Sequence, residues 1–159
     1  MKLIKVVLTV VAVLLVQTMI LSKNRWLHSI DLFLLINIYY ALNFSQISAL
    51  GLSVLSGFIQ DTFSEGILGV NAFSKTVVVY LVGTLSARLM IKHPFIIFVL
   101  IVISTCIDFL VIGGLHRVFS LSQPSLTIPM LLVASFLNGI TGSIGYQIAD
   151  KIRVRKEYA

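Results

Sequence analysis

The distribution of apolar runs constrains this chain more tightly than any motif. Stretches long enough to cross a bilayer recur from end to end, and Lys and Arg gather at the two termini and beside those runs. With 58% hydrophobic and 11% charged residues and a mean hydropathy of +1.03, the composition excludes a soluble globular domain. The 159 residues hold several spans of about 20 residues each and leave almost nothing for an extramembrane domain. Any function must therefore sit among the helices or in short loops.

Charge, proline and length place the spans. Lys2 and Lys5 precede an apolar run from Val6 to Leu21 that lacks a small-x-small cleavage site and is followed by Lys23 and Arg25. It reads as a retained first span, 4–22, rather than a secretory signal. Leu32 to Ile59 carries no charge, and as one helix it would overshoot a hydrocarbon core of about 30 Å. The polar group Asn43, Ser45, Gln46 and Ser48 favours a turn near its middle, giving two short spans, 30–42 and 47–60. A loop from Asp61 to Ser74 leads to the fourth span, 75–90, which stops before Lys92, His93 and Pro94. The fifth, 95–112, ends at Gly113 and Gly114. A loop with His116, Arg117 and Pro124 then precedes the sixth, 130–149. The expectation is an all-α membrane protein, a six-helix transmembrane bundle forming one integral membrane domain.

The net charge of +6 would suggest nucleic acid in a soluble protein, but at run ends the same charges set topology and meet anionic lipid headgroups. With the N-terminus inside, Lys2, Lys5, Arg88, Lys92, Lys151, Arg153, Arg155 and Lys156 are cytoplasmic, and Lys23, Arg25, Lys75 and Arg117 are outside. This imbalance, with a basic cluster at each end, favours an even number of spans and two cytoplasmic termini. Trp26 and His28 then anchor the outer interface. Cys106 lies inside an apolar run and permits no internal disulfide.

Small residues four apart lie on one helix face and let another backbone approach closely. Ala49, Ser53 and Gly57 do so on the third span, Gly83 and Ala87 on the fourth, and Ser135, Gly139 and Ser143 on the sixth. Such a face serves either packing within the bundle or a partner helix. Asp108 is the one acidic residue deep in an expected span; it either makes an interior polar contact, with Lys75 and Arg117 as candidate partners by depth, or marks a ligand or ion site. Asp31, at the start of the second span, is explained by capping and the helix dipole. Asp61 ends the third span on the unfavourable side of that dipole and needs compensation, for which backbone hydrogen bonds from the Gly66 to Asn71 turn are the candidate. His28, His93 and His116 stand on separate loops and form no ligand motif, and no phosphate-binding glycine motif occurs. Neither an enzyme nor a cofactor is expected.

The stretch holding Gly57, Asp61, Gly66, Gly69, Asn71 and Ala72 is similar to the most recognisable part of the MreD family, where a glycine, an aspartate, a glycine-rich turn and Gly-x-Asn-Ala open the next span. Asp31 at the head of a short apolar helix and Asp108 in the fifth helix add to the resemblance, which covers most of the chain. It implies a non-catalytic component of the cell-elongation machinery in the inner membrane of rod-shaped bacteria, a scaffold that helps regulate peptidoglycan synthesis. Its implied partners are the single-span protein MreC, the glycosyltransferase RodA, its penicillin-binding transpeptidase and MreB filaments. The resemblance also implies a fold like the substrate-binding subunits of energy-coupling-factor transporters. That kinship supplies an alternative function, small-molecule binding for such a transporter.

Overall fold

The computed structural model describes residues 29–63, 67–88, 93–119 and 128–157, all helical or in short connections. The expected first span, 4–22, the anchors Trp26 and His28, and Gly66 lie outside these residues. Five helices are described: α1 Leu32–Asn43, α2 Gln46–Phe63, α3 Val70–Arg88, α4 Pro94–Val118 and α5 Ile128–Glu157. Among them α3, α4 and α5 are long and apolar enough to cross a membrane, whereas α1, at 12 residues, is a shorter apolar helix. At 1.5 Å per residue α1 is about 18 Å long, well under the thickness of the hydrocarbon core.

Local chemistry sets most boundaries. Asp31 is the N-cap of α1, its carboxylate accepting from Leu34 N–H at 3.0 Å. At the other end Phe44 N–H closes on Tyr40 O. Ser45 then opens α2, its hydroxyl accepting from Ser48 N–H at 3.4 Å, so residues 32–59 form two helices turning at Phe44 and Ser45. Proline at the start of α4 sits where its missing N–H costs nothing, and the ring of His93 accepts from Phe95 N–H.

Three boundaries differ from the expected ones by five residues or more. Helix α3 begins at Val70, five residues before the expected start, because a distant side chain satisfies its free amides, as described below. Helix α4 runs through Gly113 and Gly114 to Val118. Each glycine costs a helix about 1 kcal/mol relative to alanine, less than leaving backbone groups unpaired in lipid. Helix α5 continues to Glu157, so the basic C-terminal cluster is an extension of the last span rather than a loop after it.

Side-chain contacts fix the relative directions. Asp31, Leu35 and Tyr39 of α1 meet Asn138, Gly142 and Tyr146 of α5, each pair offset by the same 107 residues, so these helices are parallel. Helix α3 is parallel to α1 as well, since Lys75 meets Asp31 and Ser86 meets Ala41 O. Helix α2 runs opposite to α3, with Gln46 near Thr84, Ser53 near Thr76 and Gly57 against Ala72. Helix α4 runs opposite to α5, with Cys106 near Ser135 and Ile101 against Gly142. The five helices therefore alternate in direction along the chain. Their common core joins Leu34, Ile38 and Ala41 of α1, Ala49 of α2, Val78, Val79 and Val82 of α3, and Ile97 and Ile101 of α4.

Candidate functional site

The loop between α2 and α3 is built around Asp61, which is 3% exposed. Its Oδ2 accepts from Gly69 N–H at 2.8 Å and Ala72 N–H at 3.3 Å. Its Oδ1 accepts from Asn71 N–H at 3.0 Å and Asn71 Nδ2 at 2.8 Å. These backbone donors are the ones that the first turn of α3 cannot satisfy within the helix, so Asp61 acts as the cap of α3 from eight to eleven residues upstream. A carboxylate at the end of α2 is thereby placed at the positive end of the α3 dipole, which offsets its poor position on its own helix. Gly69, at φ 102°, takes the left-handed turn that brings the amides around. Gly57 lets the two helices meet, because a Cβ there would overlap the backbone of Asn71 and Ala72.

A second cluster joins all five helices. Lys75, on α3, is 0% exposed, and its Nζ lies 2.8 Å from Asp31 Oδ2. Gln60 of α2 donates to the same Asp31 oxygen at 3.3 Å, and Asp31 N–H donates to Asn138 Oδ1 of α5 at 2.9 Å. On α4, Asp108 is 4% exposed and accepts from the Ser74 hydroxyl at 2.5 Å, with its carboxylate inside the electrostatic field of Lys75. Asp108 lies a little past the middle of α4, so this hub sits well inside the bundle. Ions buried this deeply stabilise only while paired; removing one partner of such a pair costs about 3–5 kcal/mol.

The hub corrects two sequence readings. By sequence position Lys75 falls among the outer interfacial charges, yet it is fully buried, a distinction that position in the sequence does not carry. Asp31 does cap its helix but also carries the ion pair. Of the two partners considered for Asp108, Lys75 acts at a distance while Ser74 makes the direct contact, and Arg117 is exposed. Gln60, Ser74 and Asn138 join the hub without a sequence pattern that marks them as a set. Asn138 had a usable signal, an amide among the small residues of an apolar span.

The small-residue stripe on α5 faces α4. Ser135 is buried with its hydroxyl 3.4 Å from Cys106 Sγ, and a Cβ on Gly139 would lie 2.7 Å from Phe98 Cε2 and 2.9 Å from Val102 Cγ2. Ser143 is half-buried, and its Oγ has no partner among the described residues. The space that a partner helix would need at Gly139 is thus filled by the chain's own α4. Beside this seam, α1 and α5 flank an apolar groove of about 380 Å³ lined by Leu35, Tyr39, Gly142, Gly145 and Tyr146 among others. No group of three or more His, Cys, Asp or Glu able to hold a metal ion occurs among the described residues.

Apolar spans of alternating direction, tied by a buried polar hub, define an integral membrane protein of several helices. Residues 1–142 match the family model of the rod shape-determining protein MreD, and the chain belongs to that family. Its role therefore lies in determining rod cell shape, in association with the rod complex. No curated protein and no solved structure matches the chain.

Proposed function

We propose that this protein is a non-catalytic scaffold in the cytoplasmic membrane, holding an MreC-like single-span protein within the elongation complex and so helping to regulate peptidoglycan synthesis. RodA-type glycosyltransferase, its transpeptidase and MreB filaments belong to the same assembly in this reading. The observation that carries it, beyond family membership, is how the buried polar groups are spent. Asp61 is taken up by four N–H donors, Asp31 by Lys75, Gln60 and Asn138, and Asp108 by Ser74. Such a network ties the helices to one another, which supports a scaffold.

The alternative is a small-molecule-binding subunit of an energy-coupling-factor type transporter, for which the groove beside Gly142 and Gly145 is the supporting feature. Affinity purification of the tagged full-length chain from membranes in mild detergent separates the two. The scaffold reading expects a single-span MreC-like protein to co-purify, and expects folded Asp108→Asn protein to retain it. Recovery of an ATPase module instead, with a bound small molecule lost on Asp108→Asn, would overturn it.

A further inference from the structure

Lys75, a buried cation, pairs with one carboxylate and acts electrostatically on a second from a different helix. We propose that Lys75 is a shared counter-ion that exchanges between Asp31 and Asp108, making the hub a two-position latch between the start of α1 and the middle of α4. Adjacent residues of α3 hold the two acids, Lys75 gripping Asp31 at 2.8 Å and Ser74 gripping Asp108 at 2.5 Å. The electrostatic field of Lys75 reaches both. Its ammonium is a compact charge on a flexible four-carbon stem with rotatable donors, the type of cation suited to serving more than one acid.

Each acid keeps a hydrogen-bond donor when Lys75 serves the other. Without Lys75, Asp31 keeps Leu34 N–H and Gln60 Nε2, and without it Asp108 keeps the Ser74 hydroxyl. Asp61 also feels the charge of Lys75, but both its oxygens are occupied by the α3 amides and Asn71, so it offers no third position. Because Asp31 N–H is bound by Asn138, loosening the start of α1 is felt at α5. The latch thus links α1 and α5 to α4 through one side chain, the kind of discrete two-arrangement element that can transmit a change between sites.

A double-mutant cycle in the full-length protein tests this. Asp31→Asn keeps a capping oxygen and Asp108→Asn keeps an acceptor for Ser74, so each removes charge with little change of shape. The yield of folded protein, read as the monodisperse peak from solubilised membranes, should stay within about twofold of wild type for each single variant, because Lys75 pairs with the remaining acid. The double variant strands the lysine and should fall at least about tenfold below either single. Adding Lys75→Met to the double variant should restore the yield to the level of the singles. A single variant as damaging as the double would show a fixed pair. A double loss no greater than the product of the two single losses would show that Asp108 does not serve Lys75. Either result overturns the proposal.

Discussion

A carboxylate at the C-terminal end of a helix faces unpaired carbonyl oxygens and the negative end of the dipole, yet Asp61 is buried there. It is stable because the neighbouring helix presents its amides. The arrangement makes one side chain responsible for the start of α3. Asp61→Ala leaves the amides of Gly69, Asn71 and Ala72 without their acceptor at a cost of about 1–3 kcal/mol for each one that water does not reach. The variant should therefore show clearly less folded protein in membranes by fluorescence-detected size exclusion, and less rescue of rod shape in cells that depend on it. Asp61→Asn should lie between the two, since its amide oxygen still accepts. Wild-type abundance and cell shape with Asp61→Ala would refute the capping role.

The two small-residue contacts differ at the scale of elements. Gly57 meets backbone, which cannot yield, whereas Gly139 meets the ends of Phe98 and Val102, which can. Gly139→Leu should lower the thermal midpoint of the purified protein by separating α4 from α5, and Phe98→Ala added to it should recover part of the loss by vacating the space. A midpoint unchanged by Gly139→Leu would show that this seam is loose. The same seam shows where sequence reasoning stops. The spacing of Ser135, Gly139 and Ser143 marks a face, but nothing in the spacing says that Phe98 and Val102 fill it. The turn at Phe44 and Ser45 carries a local signal in its polar neighbours, whereas the start of α3 depends on an acceptor eight or more residues away. Lys75 reads as interfacial from its place beside an expected loop, but with α3 beginning at Val70 it lies in the second turn, on the face buried in the bundle. Asp31 and Asn138 are 107 residues apart, and no periodicity joins them.

For the whole molecule, the directions of the helices restrict the topology more firmly than the charge count did. Helices α1 and α5 are parallel, so the chain enters α1 at Ser29 from the end of the bundle opposite residue 157. Removing Lys75 from the outer set, because it is buried in the hub, leaves Lys23, Arg25 and Arg117 against the unchanged basic residues of the other side. The charge bias is therefore steeper than with Lys75 included, and the expected outcome is a cytoplasmic end of α5, with Lys151, Arg153, Arg155 and Lys156. A single crossing by the apolar run Val6 to Leu21 would then bring Lys2 and Lys5 to the same side. Fusions of a cytoplasmic fluorescent reporter to either terminus should both be bright, and alkaline phosphatase fused at the C-terminus should be inactive. Activity at the C-terminus would invert the bundle and place the basic extension of α5 outside. A bright C-terminal fusion with an exported N-terminus would instead leave the five described helices as they stand and require that the first run not cross.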